Sequence, residues 1–319
     1  MCDRIFQYLK ACEGNTLRLS PIGGGKDELE ITGCPFSTDS LSQLLTESSM
    51  PEIRLMYYKL DECHCRSLTA KHREGLEVLA LSNCGLTEAG ERLLLDGIRH
   101  NRGPSSLVSC NINNRLLADA LRGNKSVKRL EHKADSDSNL HVLLLALGEN
   151  PGLVELVLSG NQIKDESWSI MCQSLANHPA LETLGLCSTA SHDDTSISLG
   201  FEQHMSNVRK THRTKSLVEM MKVNTVIKYI QLYDRDHDTR IWEDEIQPRL
   251  KINKHRPRIA AVQMAGTSLR APLLVEELRA VDSNPNLVYS FLRGNMDLFA
   301  GHFCVLPERP RKRWRCSEL

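Results

Sequence analysis

Eleven residues from Leu153 to Ile163 read LVELVLSGNQI, an L-x-x-L-x-L-x-x-N-x-I pattern. The alternation L-x-L describes a strand that turns every second side chain inward. A single strand of that length has nothing to bury those side chains against. Repetition supplies the missing partner. GLEVLALSNCGL sets Leu76, Leu79, Leu81, Cys84 and Leu86 at the same offsets, and MPEIRLMYYKL sets Met50, Ile53, Leu55, Tyr58 and Leu60. A partial set is Leu29, Ile31, Cys34 and Phe36. Looser copies place Leu107, Cys110 and Ile112; Val127, Leu130 and His132; Leu181, Leu184 and Leu186; and Ile227, Ile230 and Leu232. Two more fall at Ile259, Val262 and Met264 and at Leu287, Ser290, Leu292 and Asn295. Successive copies lie 20 to 32 residues apart, with one interval of 46. This is the spacing of an array in which each unit buries its apolar face on the next.

Between the strands the periodicity becomes helical. RLLADALRGN, LHVLLLALGEN, SIMCQSLANHP, SLVEMMKVN and LLVEELRAVDSN carry apolar residues three and four apart and then stop at Asn. Asn tolerates the left-handed conformation that ends a helix, so Asn124, Asn150, Asn177, Asn224 and Asn284 are expected to terminate helices in that way. Strand, loop, helix and stop, repeated, predict an α/β solenoid.

The unit as a whole, in SLVEMMKVNTVIKYIQL and LLALGENPGLVELVLSGNQI, resembles the leucine-rich repeats of the ribonuclease-inhibitor type. The resemblance covers roughly residues 26–300. It implies a horseshoe with parallel strands on the concave face, helices on the convex face, and binding of another protein. On this reading residues 1–25 form an N-terminal cap, 26–186 leucine-rich repeats, and 187–215 an irregular insertion. Residues 216–300 hold degenerate repeats and a C-terminal cap, and 301–319 a disordered basic tail. The loop Asn or Cys is met only at Cys34, Cys84, Asn161 and Asn295, so the ladder of buried loop amides is incomplete.

Formal charge is zero, with 40 residues of each sign, so no global field draws the chain to nucleic acid or to a membrane, and any such contact must be local. No run of about 18 apolar residues occurs, and the N-terminus lacks the basic and apolar regions of a signal peptide. The 11 cysteines are therefore expected to be reduced thiols of a cytoplasmic protein. The tail ERPRKRWRCSEL clusters Arg309, Arg311, Lys312, Arg313 and Arg315 around Trp314. It suits a nuclear-import signal or a phosphate-contacting patch, with a solvated terminus as the preferred reading.

Candidate chemistry is sparse. In DRDHDTRIWEDE, Asp234, Asp236, Asp238 and Glu245 fall at calcium-loop positions, but Thr239 stands where a turn needs positive φ. An acidic loop that caps the next helix is the preferred reading. Cys63, His64 and Cys65, with His72 nearby, lack the second half of a zinc site. GGGKD lacks the Ser or Thr of a phosphate loop. His192, Asp193 and Asp194 read as solvated loop residues. No motif places a nucleophile beside a base. Neither a cofactor nor a metal is expected.

The expected function is therefore a non-enzymatic scaffold that binds a protein on strand residues pointing away from the core. These are Arg54, Met56, Arg129, Glu131, Glu155, Val157, Tyr229, Gln231 and Tyr233, accompanied by Ser109 and Asn111. The two tyrosines are the aromatic anchors. A likeness to the repeats of Ran GTPase-activating protein implies, as an alternative, regulation of a small GTPase. Against it, that protein ends acidic and this chain basic. A third reading makes the chain a nucleic-acid-associated factor acting through its tail.

Overall fold

A computed structural model describes residues 16–20, 30–32, 51–71, 76–82, 84–110, 112–133, 139–160, 163–188, 201–232, 237–264, 267–280 and 285–293. The chain divides into two compact units, Met1–Gln247 and Pro248–Leu319. The first unit opens with strands β1 (Thr16–Ser20), β2 (Glu30–Thr32), β3 (Glu52–Met56) and β4 (Lys59–Leu60), then helix α1 (Glu62–Lys71). It continues with β5 (Val78–Ser82), β6 (Gly85–Leu86), α2 (Glu88–Arg99), β7 (Ser106–Cys110), α3 (Asn114–Leu121) and β8 (Arg129–Lys133). Then come α4 (Leu140–Gly148), β9 (Glu155–Gly160), α5 (Asp165–Leu175), β10 (Thr183–Ser188), α6 (Phe201–Val223) and β11 (Tyr229–Leu232). A helical turn at Thr239–Ile241 and a π-type turn at Trp242–Ile246 follow.

The architecture is α/β. Nine strands form one sheet in the order β11-β10-β9-β8-β7-β5-β3-β1-β2, and every pairing in it is parallel. From β3 onward the order across the sheet is the order along the chain. β4 and β6 pair separately. Ile53, Leu79, Leu107, Leu130, Leu156, Leu184 and Ile230 stand side by side in register, all buried. Each buried leucine contributes about 2 kcal/mol. Helices α1 through α6 pack each on the next. The approach is close: a Cβ on Gly148 of α4 would lie 2.7 Å from the Ser174 carbonyl oxygen of α5. In register beside that first row run Leu55, Leu81, Ser109, His132, Leu158 and Leu186, of which Leu55, Leu81, His132, Leu158 and Leu186 are buried. His132 is tolerated there because its Nε2 meets Asn114 Oδ1 at 2.7 Å.

Several expectations are corrected. The third-apolar position after Leu81 is Ser109, not Ile112, because the sheet pairs Leu79 with Leu107 and Leu81 with Ser109. Buried Pro104 takes the first apolar position, and Ile112 is buried from the loop beyond the strand. The β1 strand lies within the expected cap, and it separates the copy at Ile31 from β3. Helix α6 begins at Phe201, inside the stretch expected to be an irregular insertion. The copies at Ile259–Met264 and from Leu287 are helical: the described residues of the second unit form α7 (Gln247–Met264, entered from the last residue of the first unit), α8 (Thr267–Ala280) and α9 (Pro285–Arg293). Its core joins Val262, Leu274 and Phe291, with Ile259 and Val288 packed against them. Ile259 to Val262 and Val288 to Phe291 are steps of three, which place side chains on one helical face. The tail 301–319 lies outside the described residues. Among those residues no helix is long and apolar enough to cross a membrane.

The recurrent Asn has a different role from the one expected. Among the described residues, which do not include Asn284, positive φ at a non-glycine residue occurs at Tyr57, Asn101 and Asn139, and Asn124, Asn150, Asn177 and Asn224 do not have it. Asn124, Asn150 and Asn224 are buried hydrogen-bond bridges between neighbouring units. Asn150 Nδ2 donates to the Leu121 carbonyl at 2.8 Å, while its Oδ1 accepts from Gly152 and Leu153 N–H at 2.9 and 3.0 Å. Asn224 likewise joins the Leu175 carbonyl to Val226 and Ile227 N–H. Asn124 joins the Ile98 carbonyl at the end of α2 to Val127 N–H. Each amide thus satisfies a last-turn carbonyl of one unit and strand-entry amides of the next, groups whose unmet burial is expensive.

At the remaining position of this row, between Asn150 and Asn224, the residue is His178, not Asn177, which is exposed. His178 Nδ1 accepts from Ala180 and Leu181 N–H at 3.2 and 2.9 Å, as the Asn Oδ1 atoms do. Its Nε2 is buried with no hydrogen bond among the described residues, and the Leu147 and Asn150 backbones lie close enough to the ring to affect its charge. Burial lowers its pKa below 6.5, against those two backbone groups, which act to raise it.

Two outcomes follow. Asn150→Ala strands one carbonyl and two amides and is expected to lower unfolding free energy by about 3 kcal/mol, read from urea denaturation. For His178, the folded value lies below the unfolded 6.5, so its contribution is complete above pH 6.5 and is lost as pH falls through the folded value. Protonation would also set an N–H against the Ala180 and Leu181 donors. The stability difference between wild type and His178→Asn should therefore shift in favour of the variant between neutral and mildly acidic pH. A difference independent of pH would contradict that assignment.

Candidate interaction surface

Alternation along each strand leaves a second face, turned away from the buried rows. In register across it run Glu52, Val78, Ser106, Arg129, Glu155, Thr183 and Tyr229, and beside them Arg54, Ala80, Val108, Glu131, Val157, Gly185 and Gln231. Apart from Ala80 and Gly185 these side chains are partly or fully exposed. Ser106 and Val108 stand where Ser109 and Asn111 were expected, because of the register at β7. Pro104 in the first apolar position was the available signal.

The expected binding residues fall into three groups. Arg129, Glu131, Glu155 and Val157 adjoin on β8 and β9. Arg129 lies 3.4 Å from Glu155 and 3.5 Å from Glu131, so one guanidinium bridges two strands through two carboxylates. Tyr229 and Gln231 stand on β11, separated from that group by Thr183 and Gly185 of β10. Tyr229 is 50% exposed. Arg54 and Met56 are on β3, separated from β8 by β5 and β7, and Arg54 is ion-paired with Glu52. Tyr233 lies outside the described residues.

Gly185 and Ala80 make low points in this face. A Cβ on Gly185 would meet Val157 Cγ2 at 3.1 Å, so a larger residue would push that valine aside. Uncharged small side chains on β5 and β7, and again on β10, thus flank a charged ridge on β8 and β9. Such a surface offers shape and polar contacts but no paired acid and base aimed at a common point.

The cysteine and histidine candidates are dispersed by α1. Asp61 caps this helix, accepting from Cys63 and His64 N–H at 2.9 and 3.2 Å, and His64 Nδ1 accepts from Asp61 N–H at 3.2 Å. Cys63 is exposed, whereas Cys65 is fully buried and its thiol is pushed up to about 12, by burial first and by the Asp61 and Glu91 carboxylates next. Cys172 is likewise raised to about 12 by burial. Neither thiol is a ready nucleophile. Among the described residues no group of three His, Cys, Asp or Glu side chains is placed to hold a metal ion.

In the acidic loop, Asp234 and Asp236 lie outside the described residues. Asp238 Oδ1 accepts from Arg240 and Ile241 N–H at 3.1 and 3.2 Å, and its Oδ2 from the Thr211 hydroxyl at 3.1 Å. The Ile241 N–H is the largest influence holding this carboxyl below its usual range, against a smaller effect of burial. Oδ1 therefore caps the helical turn at Thr239–Ile241, and Oδ2 ties it to Thr211 of α6.

A network that sequence reasoning missed secures α6. Asp165 Oδ1 accepts from Arg209 Nε and Arg213 Nε, each at 2.8 Å, and the Arg213 guanidinium lies 5.0 Å from the centre of the Trp168 ring. Burial alone would raise the Asp165 pKa, but the two arginines together hold it lowered. Partners 44 and 48 residues apart leave no local pattern to read.

No family model matches the chain, and no protein of curated function matches it. Among solved structures, one described as leiomodin-1 actin-binding site 2 is similar over 56% of this chain and 95% of that one, at 17% identity and a TM-score of 0.42. A likeness at that level carries no argument about function.

Asp238→Ala should destabilise the chain by about 1 kcal/mol through loss of the cap. Calorimetric titration of the wild-type chain with calcium should evolve no binding heat at micromolar ion. Heat in that range would restore the calcium reading.

Proposed function

We propose that the chain is a non-enzymatic cytoplasmic scaffold. In this reading its units form a leucine-rich-repeat solenoid of the ribonuclease-inhibitor type, curved into a horseshoe with strands on the concave face and helices on the convex face. The concave face holds another protein. One observation carries the reading. Parallel sheets are ordinarily covered on both faces. Here the helices joining β3 to β11 pack on one another in sequence, while the face carrying Arg54, Arg129, Glu131, Glu155, Tyr229 and Gln231 keeps its side chains accessible among the described residues.

Recognition on such a face rests on few contacts. Tyr229 supplies a large aromatic surface, and the Arg129, Glu131 and Glu155 cluster supplies directional charge, which governs specificity more than affinity.

Capture from native extract should recover a defined partner set with the wild-type chain and lose it with a Tyr229→Ala, Glu155→Lys variant of unchanged melting temperature. Recovery of the same partners at the same yield by both would defeat the reading.

A further inference from the structure

The balanced net charge hides a local imbalance. Between Gly97 and Leu130 there are seven Lys or Arg residues and a single Asp. Six of the seven gather at one rim, where helices α2 and α3 end and strands β7 and β8 begin. Arg99 ends α2 and Arg102 follows it, Arg122, Lys125 and Lys128 follow α3, and Arg129 opens β8. The seventh, Arg115, lies in the first turn of α3, at its other end.

Backbone hydrogen bonds fix this rim. Lys128 and Arg129 N–H both donate to the Ser105 carbonyl, at 2.7 and 2.9 Å, and Lys125 N–H donates to Asn101 Oδ1 at 2.6 Å. Adjacent units are thereby held at strand spacing, about 5 Å at this edge. Arg102 retains a loose pairing with Asp96 at 4.0 Å, and Arg122 pairs with Glu149 at 3.0 Å. Arg99, Lys125 and Lys128 are exposed and have no carboxylate within ion-pair distance among the described residues.

We propose that this rim is a docking site for a short acidic segment of a partner protein, a run of Asp and Glu residues lying across the ends of α2 and α3. Two features select that occupant over nucleic acid. Exposed Glu77, whose carbonyl accepts from Ser106 N–H, bounds the patch toward β5, Glu149 and Glu155, paired with Arg122 and Arg129, bound it toward β9, and Asp96 of α2 lies within it beside Arg102. A few consecutive carboxylates fit between these limits, whereas a continuous polyanion would run onto them. In addition, no Phe, Tyr or Trp occurs between Gly97 and Leu130, so the rim's own segment offers no ring on which a base could stack. The site is distinct from the open sheet face except at Arg129, and it stands whether or not that face binds a protein.

The test is fluorescence anisotropy with a labelled oligo-Asp/Glu peptide, a single-stranded oligonucleotide, a duplex, and vesicles containing anionic lipid as separate probes. The peptide should bind the full chain at low salt and weaken as salt rises. Lys125→Glu, Lys128→Glu should reduce peptide affinity about tenfold or more, and Arg115→Glu, a charge reversal at the far end of α3, should leave it nearly unchanged. Melting temperatures confirm that each variant is folded. The proposal is overturned if the peptide does not bind, if Arg115→Glu weakens it as much as the rim variant does, or if an oligonucleotide or vesicle binds the rim more tightly than the peptide.

Discussion

A strand of five residues and one helix of ten cannot bury both faces of themselves, and every other feature of the first unit answers to that limit. Each strand places one leucine or isoleucine beside its counterpart in the next, from Ile53 to Ile230. The polar half of the same dependence is the row Asn124, Asn150, His178 and Asn224. Each of the three asparagines spends its carboxamide on a carbonyl of the preceding unit and on amides at the entry to its own strand. Stability is therefore shared between neighbours, through the buried face of the sheet and the polar row at its edge.

This dependence accounts for what could be read directly from the residues. L-x-x-L-x-L marks β3, β5, β8, β9, β10 and β11, because burial on one side demands alternation. The outward positions Arg129, Glu131, Glu155, Val157, Tyr229 and Gln231 follow from the same alternation without further information. The acidic loop also reads correctly at Asp238, whose capping role is local and is fixed by the residues immediately after it.

What escaped has equally physical causes. At β7, Cys110 and Ile112 matched the apolar template better than Leu107 and Ser109, and a proline was needed to fill the first position. Beyond β11 the template matched helices, since apolar residues three apart suit α7 and α9 as well as a loose strand copy. Asn124, Asn150 and Asn224 stand where the repeat predicts but act through their side chains, which bridge 26 to 49 residues of sequence, and at the remaining position His178 replaces the expected Asn177. The Asp165, Arg209, Arg213 and Trp168 network and the paired carboxylates that bound the basic rim depend on the same kind of distant meeting. Spacing along one chain does not encode them.

Strand β8 lies between β7 and β9, with Leu130 and His132 buried and Arg129, Glu131 and Lys133 open. Single cysteines at Arg129, Leu130, Glu131, His132 and Lys133 can be labelled with a maleimide under native conditions and the modified peptides quantified by mass spectrometry. Rapid labelling at 129, 131 and 133, with protection at 130 and 132 until the chain unfolds, is the predicted result. Protection at all five positions, or the opposite alternation, would contradict it.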